Sequence, residues 1–83
     1  MYFVYILQSI KDKSYYIGHT GHIESRLKEH NFGRTGYTSL KRPWKLVHKR
    51  KFVNRSQAII MEKYLKKLKS KIALEKIIGS VGP

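Results

Sequence analysis

Two phenols, one guanidinium, one imidazole and one carboxylate stand out as groups that could carry a proton, hold a charge or bind an ion. Tyr5 lies in "FVYIL" and Tyr16 in "YYIGHT", with Gly18 and His19 directly after it. Each tyrosine alone reads equally well as a core or edge aromatic. Whether the two share a face depends on the parity of the hairpin register, which "KDKS" does not fix, because it holds no Asn-Gly or Asp-Gly. Gly18 inside a strand pattern marks a bulge or a backbone that something approaches closely. His22, Arg26 and His30 recur every fourth residue and project from one helical face. A solvated face explains that spacing. So does a phosphate site, where arginine forks onto the oxygens and histidine carries a proton. A cation between two histidines argues against a metal there.

Glu62 is one of five acids, with Asp12, Glu24, Glu29 and Glu75. It borders an apolar helical stripe, as a salt-bridged boundary residue or as the lone carboxylate ligand of a Mg²⁺ ion, which keeps most of its water. Asp12 falls in a turn, and Glu24 and Glu29 fall off the His22/Arg26/His30 face. A two-metal centre needs several converging carboxylates, so the composition points to one metal. The identity of the base stays open. Bringing a phenol from a pKa of about 10 to about 7 costs roughly 4 kcal/mol. Nearby cations each supply roughly 1–3 pKa units of that. An imidazole such as His30 starts near 6.5, so the residues alone favour it.

The elements that must position these groups follow from pattern. Residues 2–8 and 15–20 read as strands joined in a hairpin. Residues 22–30 read as a helix, with Thr20 as its cap and Ile23 and Leu27 on its core face. Residues 31–43 form a long loop, uncommon in a small domain unless it has work to do. Residues 44–53 read as a third strand. Asn54 with Gln57 three residues on gives a capping box. The helix it opens runs to about Lys69, with Ala58, Met61, Leu65 and Leu68 as its stripe. A last helix starts at Ser70, buries Ala73, Leu74, Ile77 and Ile78, and ends at Gly79. The expected fold is α+β, a small three-stranded, mainly antiparallel sheet flanked by helices in the order β-β-α-β-α-α. Residues 1–79 form one domain and 80–83 a short tail.

Charge narrows the partners. Eighteen Lys and Arg against five acids leave +13, which calls for a polyanion. Nucleic acid is the first candidate, ahead of an acidic membrane surface or a merely solvated basic face. Arg34, Tyr37, Lys41, Arg42 and Lys45 could follow a phosphate backbone and stack a base. The chain has no cysteine, which fits a reducing, cytoplasmic setting. "MYFVYIL" is too short to span a bilayer and lacks signal-peptide flanks.

Taken together, these pieces resemble the GIY-YIG nuclease domain. "FVY" (3–5) stands where the family has Gly-Ile-Tyr, and "YIG" (16–18) begins eleven residues after Tyr5. "RLKEH" supplies the helix arginine at Arg26 and His30 at a position usually His or Tyr. Glu62 in "AIIMEKYLKK" matches the metal-binding glutamate. With "RPWKLV", the match covers nearly the whole chain. It is strongest to small stand-alone members, similar to the N-terminal nuclease domain of the bacterial excision-repair incision subunit.

The resemblance implies a DNA endonuclease, with a place in DNA repair and one Mg²⁺ (or Mn²⁺) at Glu62. It makes Arg26 the charge stabiliser and has Tyr5 or Tyr16 orient water and take its proton, with His30 hydrogen-bonded to a tyrosine. It puts the Gly18 backbone near the scissile phosphate and His19 close by. The chain is expected to be a monomer or weak homodimer, with a specificity-conferring protein partner left open, and no membrane is expected because the 57–69 stripe reads as core. Phe3 and Val4 replace Gly and Ile, and "KIIGSVGP" lacks the late Asn that many members carry. The alternative is a non-catalytic basic nucleic-acid-binding protein, which has no need of Glu62.

Overall fold

The computed structural model describes residues 1–32, 40–68 and 71–80. Its elements are β1 (Tyr2–Ser9), β2 (Tyr15–Thr20), α1 (Ile23–Asn31), β3 (Trp44–Phe52), α2 (Arg55–Lys67) and α3 (Lys71–Ser80). The strands form one antiparallel sheet in the order β2-β1-β3, so both β2 and β3 are edges. This is the expected α+β fold in the expected order.

The β1–β2 turn fixes what the sequence left open. Ser9 N–H donates to Ser14 O at 2.8 Å, and Lys13 N–H donates to Ser9 O at 2.9 Å. Lys13 supplies the left-handed residue of the turn, at φ 67°. Glycine usually takes such a place, which is why "KDKS" gave no turn signal. The buried Ser9 hydroxyl accepts from the N–H groups of Lys11 and Asp12 at 3.1 and 3.2 Å. It donates to Lys41 O at 2.6 Å. The resulting register pairs Tyr5 with Gly18 and Leu7 with Tyr16. Cross-strand partners share a face, so Tyr5 and Tyr16 lie on the same side of the sheet.

Each face of the sheet has its own core. Val4, Ile6 and Ile17 pack with Ala58, Leu65 and Leu74 under α2 and α3. Tyr5, Leu7 and Trp44 pack with Tyr16, Ile23, Leu27 and Leu46 on the α1 side. Burying one leucine such as Leu65, 1% exposed, is worth about 1.5–3 kcal/mol. Asn54 caps α2 as expected, its Oδ1 accepting from Gln57 N–H at 3.0 Å. Such a cap contributes about 1 kcal/mol.

Two expected helix ends differ. α1 begins at Ile23 with no side-chain cap. Thr20 instead stays in the strand, and its Oγ1 accepts from His22 N–H at 3.0 Å one step ahead of the helix. Gly79 does not end the last helix, which runs to Ser80. Ile77 and Ile78 pack against the core and hold that last turn despite the glycine. The expected start at Ser70 lies outside the described residues.

Candidate active site

Burial sorts the candidate residues. Tyr5 is 2% exposed and His30 1% exposed, while Tyr16 and Arg26 are half-buried. Tyr5 Oη and His30 Nε2 share a hydrogen bond at 3.1 Å. The Tyr16 ring lies 4.9 Å from that of His30 and 6.3 Å from that of Tyr5, centroid to centroid. The Tyr16 and Trp44 rings meet edge to face, with centroids 6.2 Å apart. Trp44 is itself clamped to the end of α1. Its N–H donates to Asn31 Oδ1 at 2.6 Å, and its carbonyl accepts from Asn31 Nδ2 at 3.1 Å. Three aromatic rings and an imidazole thus form one rigid cluster between the sheet and α1.

The glycine of "YIG" has a packing reason. A Cβ at Gly18 would stand 2.6 Å from Tyr5 Oη and 2.8 Å from its Cζ. The phenol occupies the space that any side chain at 18 would need. A glycine here is what allows Tyr5 to lie across β2 and reach His30.

Electrostatics tie α1 to the cluster. Burial pushes the Tyr5 phenol well above its ordinary value. Tyr16, Glu62 and Glu29 reinforce the shift, and Arg26 opposes it. Burial and the Arg26 charge lower the pKa of His30, with Glu29 opposing, so His30 is neutral near pH 7. The Glu29 part corrects the expectation that this acid lies off the Arg26 face. It pairs with Arg26 at 3.9 Å and influences both buried groups. His22, by contrast, is exposed at the start of α1. The three residues of the periodic face therefore range from solvent to core.

Glu62 and His19 meet on the opposite face of the sheet, under α2. His19 is paired with Val4 and points away from the phenols. Its Nδ1 stands 2.5 Å from Glu62 Oε1, and Lys66 Nζ donates to Glu62 Oε2 at 2.7 Å. Burial alone would raise the Glu62 pKa. The hydrogen bonds from Lys66 and His19 outweigh it, and the net shift is downward, so the carboxylate is ionised. The two halves of the site sit either side of edge strand β2, and Tyr5 feels the Glu62 charge across it. A hollow of about 280 Å³ at that edge is lined by Tyr15, Tyr16, Ile17, Leu65, Lys66 and Leu74. Nothing in the sequence signalled the His19–Glu62 contact, which joins residues 43 apart.

An ionised, half-shielded carboxylate beside a ring nitrogen is a donor set that fits a divalent ion. Among the described residues, no group of three or more His, Asp or Glu gathers to hold one. An ion at Glu62 therefore relies on few protein ligands, as Mg²⁺-type ions do when substrate phosphates complete the shell.

The expected nucleic-acid contacts divide as well. Arg34 and Tyr37 lie outside the described residues. Lys41 is held by Asp12 at 3.0 Å, whereas Arg42 and Lys45 are exposed. Exposed Lys49, Arg50 and Lys51 continue the basic edge along β3, and Lys49 Nζ lies 6.0 Å from the Phe3 ring centroid. No described helix is long and apolar enough to cross a membrane.

Comparison with known proteins converges on the same residues' family. The family model described as the GIY-YIG catalytic domain, a nuclease domain, matches residues 1–76. The UPF0213 protein lwe0147 of Listeria welshimeri is 44% identical over 71 residues, covering 84% of this chain and 78% of that protein. The UPF0213 protein YazA of Bacillus subtilis is 37% identical over 71 residues, covering 84% and 71%. The solution NMR structure of the UPF0213 protein BH0048 from Bacillus halodurans superposes with a TM-score of 0.59. It is 33% identical and covers 99% of this chain and 87% of that one. With the matched model spanning nearly its whole length, this chain belongs to the GIY-YIG catalytic domain family.

Proposed function

We propose that this protein is a divalent-metal-dependent endonuclease of DNA, acting through residues 1–79 as a single catalytic unit. One observation carries the reading. A half-buried phenol, Tyr16, is backed by a buried Tyr5–His30 pair, and the charges of Arg26 and Glu62 both reach the Tyr5 phenol. The family match supports nuclease chemistry in general.

Burial supports a division of roles. Tyr5 and His30 are too enclosed to meet a water molecule and act as positioning residues. They fix the Tyr16 ring and hold a neutral imidazole beside it. Tyr16 is the phenol that the attacking water reaches, and it orients that water and takes its proton. Arg26, 41% exposed at its side chain, forks onto the phosphate and stabilises the charge that develops there. Glu62 holds the divalent ion, Mg²⁺ or Mn²⁺, which when bound neutralises charge on the phosphate and the leaving oxygen. A free phenol is about one part in a thousand phenolate at pH 7. The exposed cations Arg42, Lys45 and Lys49 supply sequence-independent affinity for the backbone. Lys41, half-buried and paired with Asp12, borders that surface. Gly18 serves by leaving room for Tyr5, close to where the phosphate sits.

The test is a panel of plasmid, flap, junction and single-stranded DNA with matching RNA, incubated with Mg²⁺ or Mn²⁺. Wild-type protein nicks DNA. Glu62→Ala loses nicking and retains binding within a few-fold. Binding without cutting in both forms would establish the non-catalytic binder instead.

A further inference from the structure

We propose that His19 is a second protein ligand of the ion at Glu62, giving a mixed oxygen–nitrogen site that takes Mn²⁺ in preference to Mg²⁺. The proposal rests on the reading of Glu62 as the metal carboxylate.

A cation arriving at Glu62 must displace a group already bound there. Both carboxylate oxygens already have a cationic or hydrogen-bonding neighbour, His19 at 2.5 Å and Lys66 at 2.7 Å. The two neighbours differ in how readily they leave. Lys66 is 54% exposed on a long flexible stem one helical turn from Glu62, and it swings into solvent at little cost. His19 has a short stem on a hydrogen-bonded strand, and its side chain is only 29% exposed. An ion at Glu62 therefore replaces Lys66 and finds His19 still in place.

The nitrogen is positioned to bind. Two ligands in adjacent positions around an ion lie about 3 Å apart when each bond is about 2.1 Å. Nδ1 and Oε1 reach that separation by opening about 0.5 Å from their present distance. Ligation needs a bare Nδ1, so the ring proton moves to Nε2 or to solvent. The choice of ion follows from the donors. Mg²⁺ prefers an all-oxygen shell, whereas an imidazole nitrogen improves the site for first-row transition ions.

The measurement is metal binding by the full chain, without nucleic acid, using titration calorimetry and the electron paramagnetic resonance of Mn²⁺. Wild-type protein binds Mn²⁺ at least about tenfold more tightly than Mg²⁺. His19→Ala costs about tenfold or more in Mn²⁺ affinity and leaves Mg²⁺ nearly unchanged, so the preference collapses. His19→Asn keeps a hydrogen-bond donor for Glu62 but no ring nitrogen, and it fails to restore the preference. Thermal unfolding of each variant confirms that it is folded.

Restoration by Asn, an equal loss for both ions, no loss at all, or Mn²⁺ binding that survives Glu62→Gln would each overturn the proposal. So would wild-type protein that binds no Mn²⁺ into the millimolar range. A chain that passes this test yet cuts no nucleic acid refutes the nuclease reading and leaves the His19 ligand standing. A chain that cuts but fails this test does the reverse.

Discussion

Gly18→Ala is the sharpest perturbation of the aromatic cluster, because its size can be worked out in advance. The new methyl group would stand 2.6 Å from Tyr5 Oη, 2.8 Å from Tyr5 Cζ and 3.3 Å from Tyr16 Cε1. Ordinary contact begins near 3.4 Å, so the phenol must retreat by about 0.8 Å. It has little room to do so. Tyr5 is 2% exposed and packed with Leu7 and Trp44. Overpacking of this kind costs about 1–3 kcal/mol. Retreat also stretches the 3.1 Å bond to His30, with a further cost of about 1 kcal/mol.

Urea unfolding followed by the fluorescence of Trp44, the one tryptophan, measures the sum next to the Tyr16 ring. A double-mutant cycle with Tyr5→Phe measures the coupling between the two positions. Phenylalanine keeps Cζ, 2.8 Å from the new methyl, but it lacks the worst contact and has no bond to His30 left to stretch, so the double variant is more stable than additivity predicts by about 1 kcal/mol. If Gly18→Ala unfolds within about 0.5 kcal/mol of wild type and the cycle is additive, the close approach of phenol and glycine is wrong.

Further expectations are these. Asn31→Ala removes both hydrogen bonds that join α1 to Trp44 and lowers unfolding free energy by about 1–3 kcal/mol in urea melts. His30 and His48 are held below the ordinary histidine pKa of 6.5, burial first and then a neighbouring arginine, Arg26 or Arg50. The unfolded chain takes up these protons near pH 6.5 and the folded chain resists them. Stability is therefore full above that value and falls as pH drops through it, by up to about 1.4 kcal/mol per pH unit for each ring. Melts of wild type and His30→Gln from neutral pH to about pH 5 check this, and the variant has the flatter profile. Arg26→Ala lowers single-turnover cleavage by about 10²–10³ with a much smaller change in binding. Loss of binding in proportion would instead make Arg26 a tether.

Much of this architecture is legible in the residues. The aromatic and β-branched run of β1, the Asn54–Gln57 cap and the stripe through Ala58, Met61 and Leu65 each reflect a local rule, and local rules can be read along the chain. The shared face of Tyr5 and Tyr16 is not local. It hangs on one left-handed residue, Lys13, and a slip of one position would have placed Tyr16 on the other side. Burial of His30 was equally hidden. Its four-residue spacing from Arg26 says only that both share a face of α1, not how deep that face sinks at its end. The residues alone favoured His30 as base for its pKa, and its enclosure by Tyr5 and Tyr16 supports the positioning role proposed for it. The His19–Glu62 pair is a tertiary contact between β2 and α2, and periodicity carries no trace of it. Gly79 shows the opposite failure, a local stop signal overruled by the packing of its neighbours.

The proposed chemistry requires Tyr16, rather than the enclosed Tyr5, to be the phenol that works on water. Single-turnover DNA cleavage at saturating divalent ion by Tyr16→Phe and Tyr5→Phe tests it directly, with binding measured alongside. Tyr16→Phe should lose about 10²–10⁴ in rate with binding intact, and Tyr5→Phe should lose at least tenfold less than that. The reverse order, or equal activity in both variants and wild type, would contradict it.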